Sequence, residues 1–141
     1  MSKENSKKNY ILKCDGGALN NPGRGASASV IFENGVIIDK KATYYSHTTN
    51  NAAEYNSLIL GLKRCIKLGI KDIKIKMDSQ LVVKQVLGEY KVRNENLKEL
   101  HLNVLELLVK FDSFTIEHIY RNQNTDADEL ADLCILMKQD L

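Results

Sequence analysis

A chain of 141 residues, 43% hydrophobic and 27% charged, can bury one core without disulfides or metal staples and has an ordinary globular composition. Its net charge of +2 is uneven: Lys3, Lys7, Lys8 and Lys13 against Glu4 put +3 in the first thirteen residues and leave the remainder near −1, so charge alone marks no polyanion-binding surface. Three scattered cysteines, Cys14, Cys65 and Cys134, argue against a zinc knuckle or a secreted disulfide frame and for reduced thiols in the cytoplasm.

The opening MSKENSKK is polar and reads as a tail over residues 1–8, with no apolar stretch of a secretory signal. No run approaches the roughly 20 apolar residues of a membrane span, so no membrane partner is expected. Tyr10 to Cys14 reads as a short strand that stops at Asp15. Gly16, Gly17, Pro22, Gly23 and Gly25 follow, where the backbone is expected to turn sharply or to approach something closely. Ala26 to Phe32 alternates as a strand, Asn34-Gly35 makes a hairpin turn, and Val36 to Tyr45 returns. These strands predict an antiparallel meander.

Ser46 to Asn51 breaks the pattern and starts a helix from Asn51 to Leu68, with Tyr55, Leu58, Leu62, Cys65 and Ile66 on one stripe. Glu54 lies on that stripe too. A carboxylate there is either a site residue or an N-terminal glutamate favoured by the helix dipole at the edge of the stripe. Gly69 ends the helix, and Asp72 to Met77 alternates strictly as a half-buried strand. Asp78 stands just past that strand, where it reads either as a site residue or as the N-cap of a short helix running to Gly88.

Glu89 to Asn96 is a polar connector with Lys91 and Arg93. The helix beginning at Asn94 carries Leu97, Leu100, Val104, Leu107, Leu108 and Phe111 as a core stripe. Phe114 to Tyr120 alternates as the last strand, Arg121 to Gln123 forms a loop, and Asn124 reads as the N-cap of a closing helix. Ala127, Leu130, Ala131 and Cys134 face inward there, flanked by Asp126, Asp128 and Asp132, acids that the dipole would favour in any first turn.

This order predicts an α/β fold with a five-stranded mixed sheet, an antiparallel meander plus parallel strands, flanked by helices. In such sheets a site lies outside the carboxyl ends of parallel strands. Neighbouring parallel strands ending at Asp15 and Asp78 would send both acids into one crevice, joined by Glu54 and Asp128. Four acids without basic partners repel one another unless divalent cations sit between them. Oxygen ligands without Cys or His favour Mg²⁺ or Mn²⁺ over zinc, and a pair of such ions suits phosphodiester cleavage.

These residues resemble a known family, type 1 ribonuclease H. The resemblance rests on Asp15-Gly16 with Asn21-Pro22-Gly23, on Thr48-Thr49-Asn50-Asn51-Ala52-Ala53-Glu54, on Met77-Asp78-Ser79-Gln80, and on Asn124 followed by Asp128-Glu129-Leu130-Ala131. It implies a ribonuclease H domain over residues 9–141, a monomer, that cleaves the RNA strand of RNA/DNA hybrids and leaves 3′-hydroxyl and 5′-phosphate ends. It further implies that Asp15, Glu54, Asp78 and Asp128, in preference to Asp126 or Asp132, ligate two Mg²⁺ ions, with Mn²⁺ as a substitute.

By the same resemblance Glu54 and the backbone from Gly16 through Gly17 to Ala18 sense the 2′-hydroxyl. Asn21, Asn50, Asn51 and Gln80 match hybrid contacts, and Thr49 matches a residue that holds a DNA phosphate. Turn and cap formation explain these uncharged residues equally well. Two departures stand out: the loop histidine that many members carry before the last helix is absent, and so is a basic protrusion between the middle helices. Arg121 is left to meet the phosphate in the histidine's stead, His47 is a further phosphate candidate, and His118 reads as a packed or surface residue inside a strand. Hybrid affinity is then expected to be modest and salt-sensitive. The chief rival is a non-catalytic hybrid-binding module of the same fold. A nucleotide-binding domain is weaker still, because no G-x-G-x-x-G opens a helix.

Overall fold

The computed structural model describes residues 8–141, so the tail expected over residues 1–8 lies, apart from Lys8, outside the described residues. Strands β1 (Tyr10–Ala18), β2 (Gly23–Glu33) and β3 (Val36–Thr48) form the expected meander. Helix α1 (Asn50–Lys67), strand β4 (Asp72–Met77), helices α2 (Gln80–Val86) and α3 (Glu95–Leu108), strand β5 (Ser113–His118) and helix α4 (Thr125–Met137) complete the order. The sheet runs β3-β2-β1-β4-β5, antiparallel on the meander side and parallel where β1 meets β4 and β4 meets β5.

The two faces of the sheet differ in side-chain size. Leu12, Tyr55, Leu58, Leu62, Ile75, Met77, Val82 and Val104 belong to a large cluster under α1, α2 and α3. On the opposite face α4 lays Ala127, Leu130, Ala131 and Cys134 onto Ala26, Ala28, Val30 and Ala42, a thin layer of small residues. Strand periodicity of two assigns β1 between them. Leu12 and Cys14 are in the large cluster, so Lys13 and Asp15 project toward the α4 face. The helix stripes of α1 and α4 and the alternation of β4 therefore bury the residues expected of them, except Ile66, which is only partly buried.

Several boundaries differ from expectation. Strand β1 does not stop at Asp15 but continues to Ala18, because the glycines pair with the small residues of β2: Gly16 with Ser27 and Gly17 with Ala26. The sharp turn is confined to 19–22, where Asn20 takes φ 57°. Strand β3 runs on to Thr48, and β5 ends at His118, so Ile119 and Tyr120 lie beyond it. The Arg121–Gln123 loop is a turn of 3-10 helix. The connector between α2 and α3 is short and adds no helix of its own.

Candidate active site

Parallel pairing between β1 and β4 ends at Cys14 opposite Met77, and the next residue of each chain segment is an aspartate, Asp15 still within β1 and Asp78 just past β4. Asp15 and Asp78 thus stand side by side beyond the parallel ladder, as expected, although Asp15 itself remains in the antiparallel pairing with Ala28. The N-cap reading of Asp78 fails. Ser79 occupies that position, and its hydroxyl accepts from the Val82 N–H.

Glu54 reaches the same place through a close approach of backbones. A side chain on Gly16 would put its Cβ 2.3 Å from the Ala53 carbonyl oxygen and 2.8 Å from the Glu54 nitrogen. Only a residue without Cβ lets α1 lie against β1 here. The Ser27 hydroxyl donates to the same Ala53 carbonyl at 2.6 Å and fixes the helix from β2. Asp128 comes from the first turn of α4, anchored by its N–H to the Asn124 carbonyl at 3.1 Å.

Asp15, Glu54, Asp78 and Asp128 line one cavity of about 400 Å³, together with Gly16, Gly17, Ala18, Asn50 and Arg121. Burial, then the charge of Asp78, then hydrogen bonding and repulsion from Asp128 and the charge of Glu54 push Asp15 up to about 9. Burial raises Glu54 to about 7; a hydrogen bond with Ser79 opposes the rise and the charge of Asp78 adds to it. Arg121 is the cation at the rim, 3.4 Å from Asp128 and 76% exposed. The charge of Asp128, a hydrogen bond to it and the charge of Asp15 raise the Arg121 pKa.

The cavity holds more than the expected set. Asp132, Leu19, Ala131 and Ile135 also line it, and Asp132 is raised by burial and by Asp128. The spacing of four between Asp128 and Asp132 on a helix was the available signal, since such residues share a face. Asp126 is not among the lining residues, nor is any histidine. His118 instead packs edge-on against Tyr120, with ring centroids 5.5 Å apart, and His47 is exposed on β3.

The remaining expected contact residues divide between two places. Asn21, Thr49 and Asn51 line a second cavity of about 520 Å³ with Thr48, Ala52, Asn94, Asn96 and Leu97. Gln80 opens α2, exposed, and lines neither. Local structure also uses several of these side chains. Thr49 caps α1 by accepting from the Ala52 N–H at 3.2 Å, Asn21 accepts from the Asn50 N–H at 2.9 Å, and Asn50 accepts from the Ala18 N–H at 2.7 Å. Each amide thereby spends its oxygen on the fold.

Carboxylates are hard donors that suit a divalent cation of the Mg²⁺ type. Among the described residues no three acidic, histidine or cysteine side chains already close into a metal cage. Burial and, after it, the neighbouring acids raise Asp15, and a cation among these carboxylates would favour their ionised forms.

A five-stranded mixed sheet flanked by helices is also the fold of this chain's structural neighbours, which are RNase H domains. The sequence profile described as "Reverse transcriptase-like" matches residues 13–134, and the chain belongs to this family. Bifunctional protein Rv2228c of Mycobacterium tuberculosis is 34% identical over 123 residues, 86% of this chain and 34% of its own length. Its N-terminal RNase H domain, solved as a fusion with maltose binding protein, superposes with a TM-score of 0.89 at 32% identity, covering 93% of this chain and 96% of that one. Ribonuclease HI of Halobacterium salinarum is 36% identical over 118 residues, 83% of this chain and 59% of its own length. LC11-RNase H1, solved in complex with an RNA/DNA hybrid, has a TM-score of 0.86 at 34% identity, covering 92% and 98% of the two chains. The chain thus spans about a third of the mycobacterial relative's length and three fifths of the archaeal one's. Domains of this family generally depend on divalent metal.

Proposed function

We propose that this domain is a ribonuclease H that hydrolyses the RNA strand of RNA/DNA hybrids, leaving 3′-hydroxyl and 5′-phosphate ends. The observation that carries the reading is the convergence of Asp15, Glu54, Asp78 and Asp128, from four separate elements, on one cavity. Similarity over almost the whole domain to LC11-RNase H1, whose structure contains a hybrid, supports that substrate.

In this reading Asp15, Glu54, Asp78 and Asp128 hold two Mg²⁺ ions, with Mn²⁺ as an alternative. When bound, the ions supply positive charge that favours ionisation of water and stabilises the departing oxygen. Asp15 and Asp78 would offer their carboxylates to the ions from the strand ends, and Glu54 would do so from α1. Glu54 and the Gly16, Gly17 and Ala18 backbone meet the 2′-hydroxyl, which only RNA possesses. A Cβ at Gly17 would make only an ordinary contact, with Asn50 Oδ1 at 3.7 Å, whereas one at Gly16 would clash with α1.

Arg121, exposed and at the rim, contacts the phosphate with its guanidinium. Asn21, Thr49 and Asn51 receive the DNA strand along the second cavity; Asn50 and Gln80 complete the hybrid contacts. In Asn21 and Asn50 the amide NH₂ groups serve as the donors, since their oxygens are engaged. A module that only bound hybrids would gain by losing four unneutralised acids, so their retention favours turnover. Among the described residues no helix is long and apolar enough to cross a membrane. Cys14, Cys65 and Cys134, all free and buried, fit a monomeric domain in the reducing cytoplasm.

A labelled 5′-RNA strand annealed to DNA, incubated with protein and Mg²⁺, should shorten to 3′-hydroxyl products, while double-stranded DNA stays intact. An uncut hybrid with both Mg²⁺ and Mn²⁺ would overturn the assignment.

A further inference from the structure

Asn124 is one of few fully buried polar side chains, and it does not do what its position suggests. It stands at the N-cap of α4 yet makes no side-chain capping bond. Its Nδ2 instead donates to the Cys14 carbonyl at 2.8 Å, across 110 positions of sequence. Cys14 is the last β1 residue paired with β4, and its neighbour is Asp15. The main-chain groups of Asn124 are equally placed: its carbonyl accepts from the Asp128 N–H at 3.1 Å, and its N–H donates to the Arg121 carbonyl at 3.0 Å. One residue therefore ties together the strand that carries Asp15, the helix turn that carries Asp128 and the turn that carries Arg121.

The side-chain oxygen of Asn124 is buried without a hydrogen-bond partner among the described residues. Leaving such an atom unpaired destabilises a fold. A position selected for packing alone would hold an apolar side chain of similar volume. Ser, Thr or Asp would cap the helix as well as Asn does, and none of them carries the NH₂ that reaches Cys14.

We propose that Asn124 is a positioning residue that sets the separation of Asp15 and Asp128, and with it the affinity of the acid cavity for divalent cations. The inference rests on the metal-dependent reading of that cavity. Groups that orient ligands in this indirect way change metal affinity or activity about 10–100-fold when altered.

The test is calorimetric titration of Mg²⁺ into the metal-stripped protein without substrate, alongside the Mg²⁺ dependence of hybrid cleavage. Asn124→Leu, close in volume and without the donor, should bind Mg²⁺ about tenfold more weakly or worse and require correspondingly more Mg²⁺ for half-maximal kcat. KM for hybrid should change less than about twofold, because the residue is buried away from the substrate. Cys134→Ala, in the small-residue layer under α4, serves as the control: its melting temperature should fall while its Mg²⁺ affinity stays wild type. Asn124→Ser provides a second variant, without the amide, if the leucine does not fold. Wild-type Mg²⁺ affinity in a folded Asn124 variant would overturn the proposal. A wild-type protein that binds Mg²⁺ without cutting hybrid would overturn the ribonuclease reading alone, whereas one that binds no Mg²⁺ would overturn both.

Discussion

Two carboxylate settings in this domain are built on opposite terms. On the meander side, Asp39 of β3 receives a two-pronged contact from Arg64 of α1, Nε to Oδ2 at 3.0 Å and Nη2 to Oδ1 at 2.7 Å. At the end of the central strands, the acid cavity has only the exposed Arg121 at 3.4 Å from Asp128. The Asp39 side chain is 11% exposed, and burial is tolerable because its charge is matched in kind and geometry. The cavity acids are also partly buried, but they face one another rather than cations, and burial first, then the charges of Asp78, Asp128 and Glu54, push Asp15 up to about 9. Where this chain needs a carboxylate to hold two elements together it supplies an arginine; where it leaves carboxylates unmatched, something from outside the chain is expected to complete them.

The largest break in that contrast comes from Asp15→Asn. Hybrid cleavage should fall by about 10³-fold or more if the carboxylate holds a metal needed in the transition state. Stability should move the other way. A carboxyl with a folded pKa above its ordinary value is destabilising once the pH exceeds that ordinary value, so at pH 8 the metal-free Asn variant should melt above the wild type. Cleavage rates and thermal melts of one preparation read both. A variant that keeps wild-type turnover would remove Asp15 from the metal site.

Asp39→Ala sharpens the contrast from its other side. Removing the partner leaves Arg64 partly buried, 22% exposed, without its counter-charge. Pairs of this intermediate exposure lie between surface bridges and fully buried ones, and the loss should be about 2 kcal/mol, read as a lower urea midpoint. Turnover of the folded fraction should be unchanged. Loss of stability below a few tenths of a kcal/mol would mean that the bridge contributes little despite its geometry.

The sequence alone disclosed both ends of this comparison unevenly. Strand β4 and helices α1 and α3 were legible because Ile73, Ile75 and Met77 alternate and Tyr55, Leu58 and Leu62 recur at helical spacing. The end of β1 was not. Gly16 and Gly17 read locally as a turn, and pairing with the small residues of β2 extended the strand through them. The four acids could be gathered from their place at strand and helix ends, but their separate meanings required the close approach of α1 at Gly16. Asn124 was legible only as a cap, because the choice between capping and reaching Cys14 is made by tertiary packing. The Asp39–Arg64 pair carried no local signal at all, since its members lie 25 residues apart on different elements.

The smallest effect is also the most direct probe of the unmatched charge. In the metal-free domain Asp15 titrates at about 9 and Glu54 at about 7, both raised first of all by burial. Unfolding restores ordinary values near 4 and releases protons, so stability from these groups is greatest below about pH 4 and is lost as pH rises through 7 toward 9. Mg²⁺ competes with those protons, and its binding should release them. The rise in melting temperature caused by a fixed Mg²⁺ concentration should therefore be a few degrees larger at pH 8.5 than at pH 6. The Asp39–Arg64 pair offers an internal check, because neither member should respond to Mg²⁺, and Asp39→Ala should keep the same pH-dependent increment on a lower baseline. An increment independent of pH would mean that cations enter without displacing protons from Asp15 and Glu54, and the raised pKa values would then belong to groups that take no part in holding them.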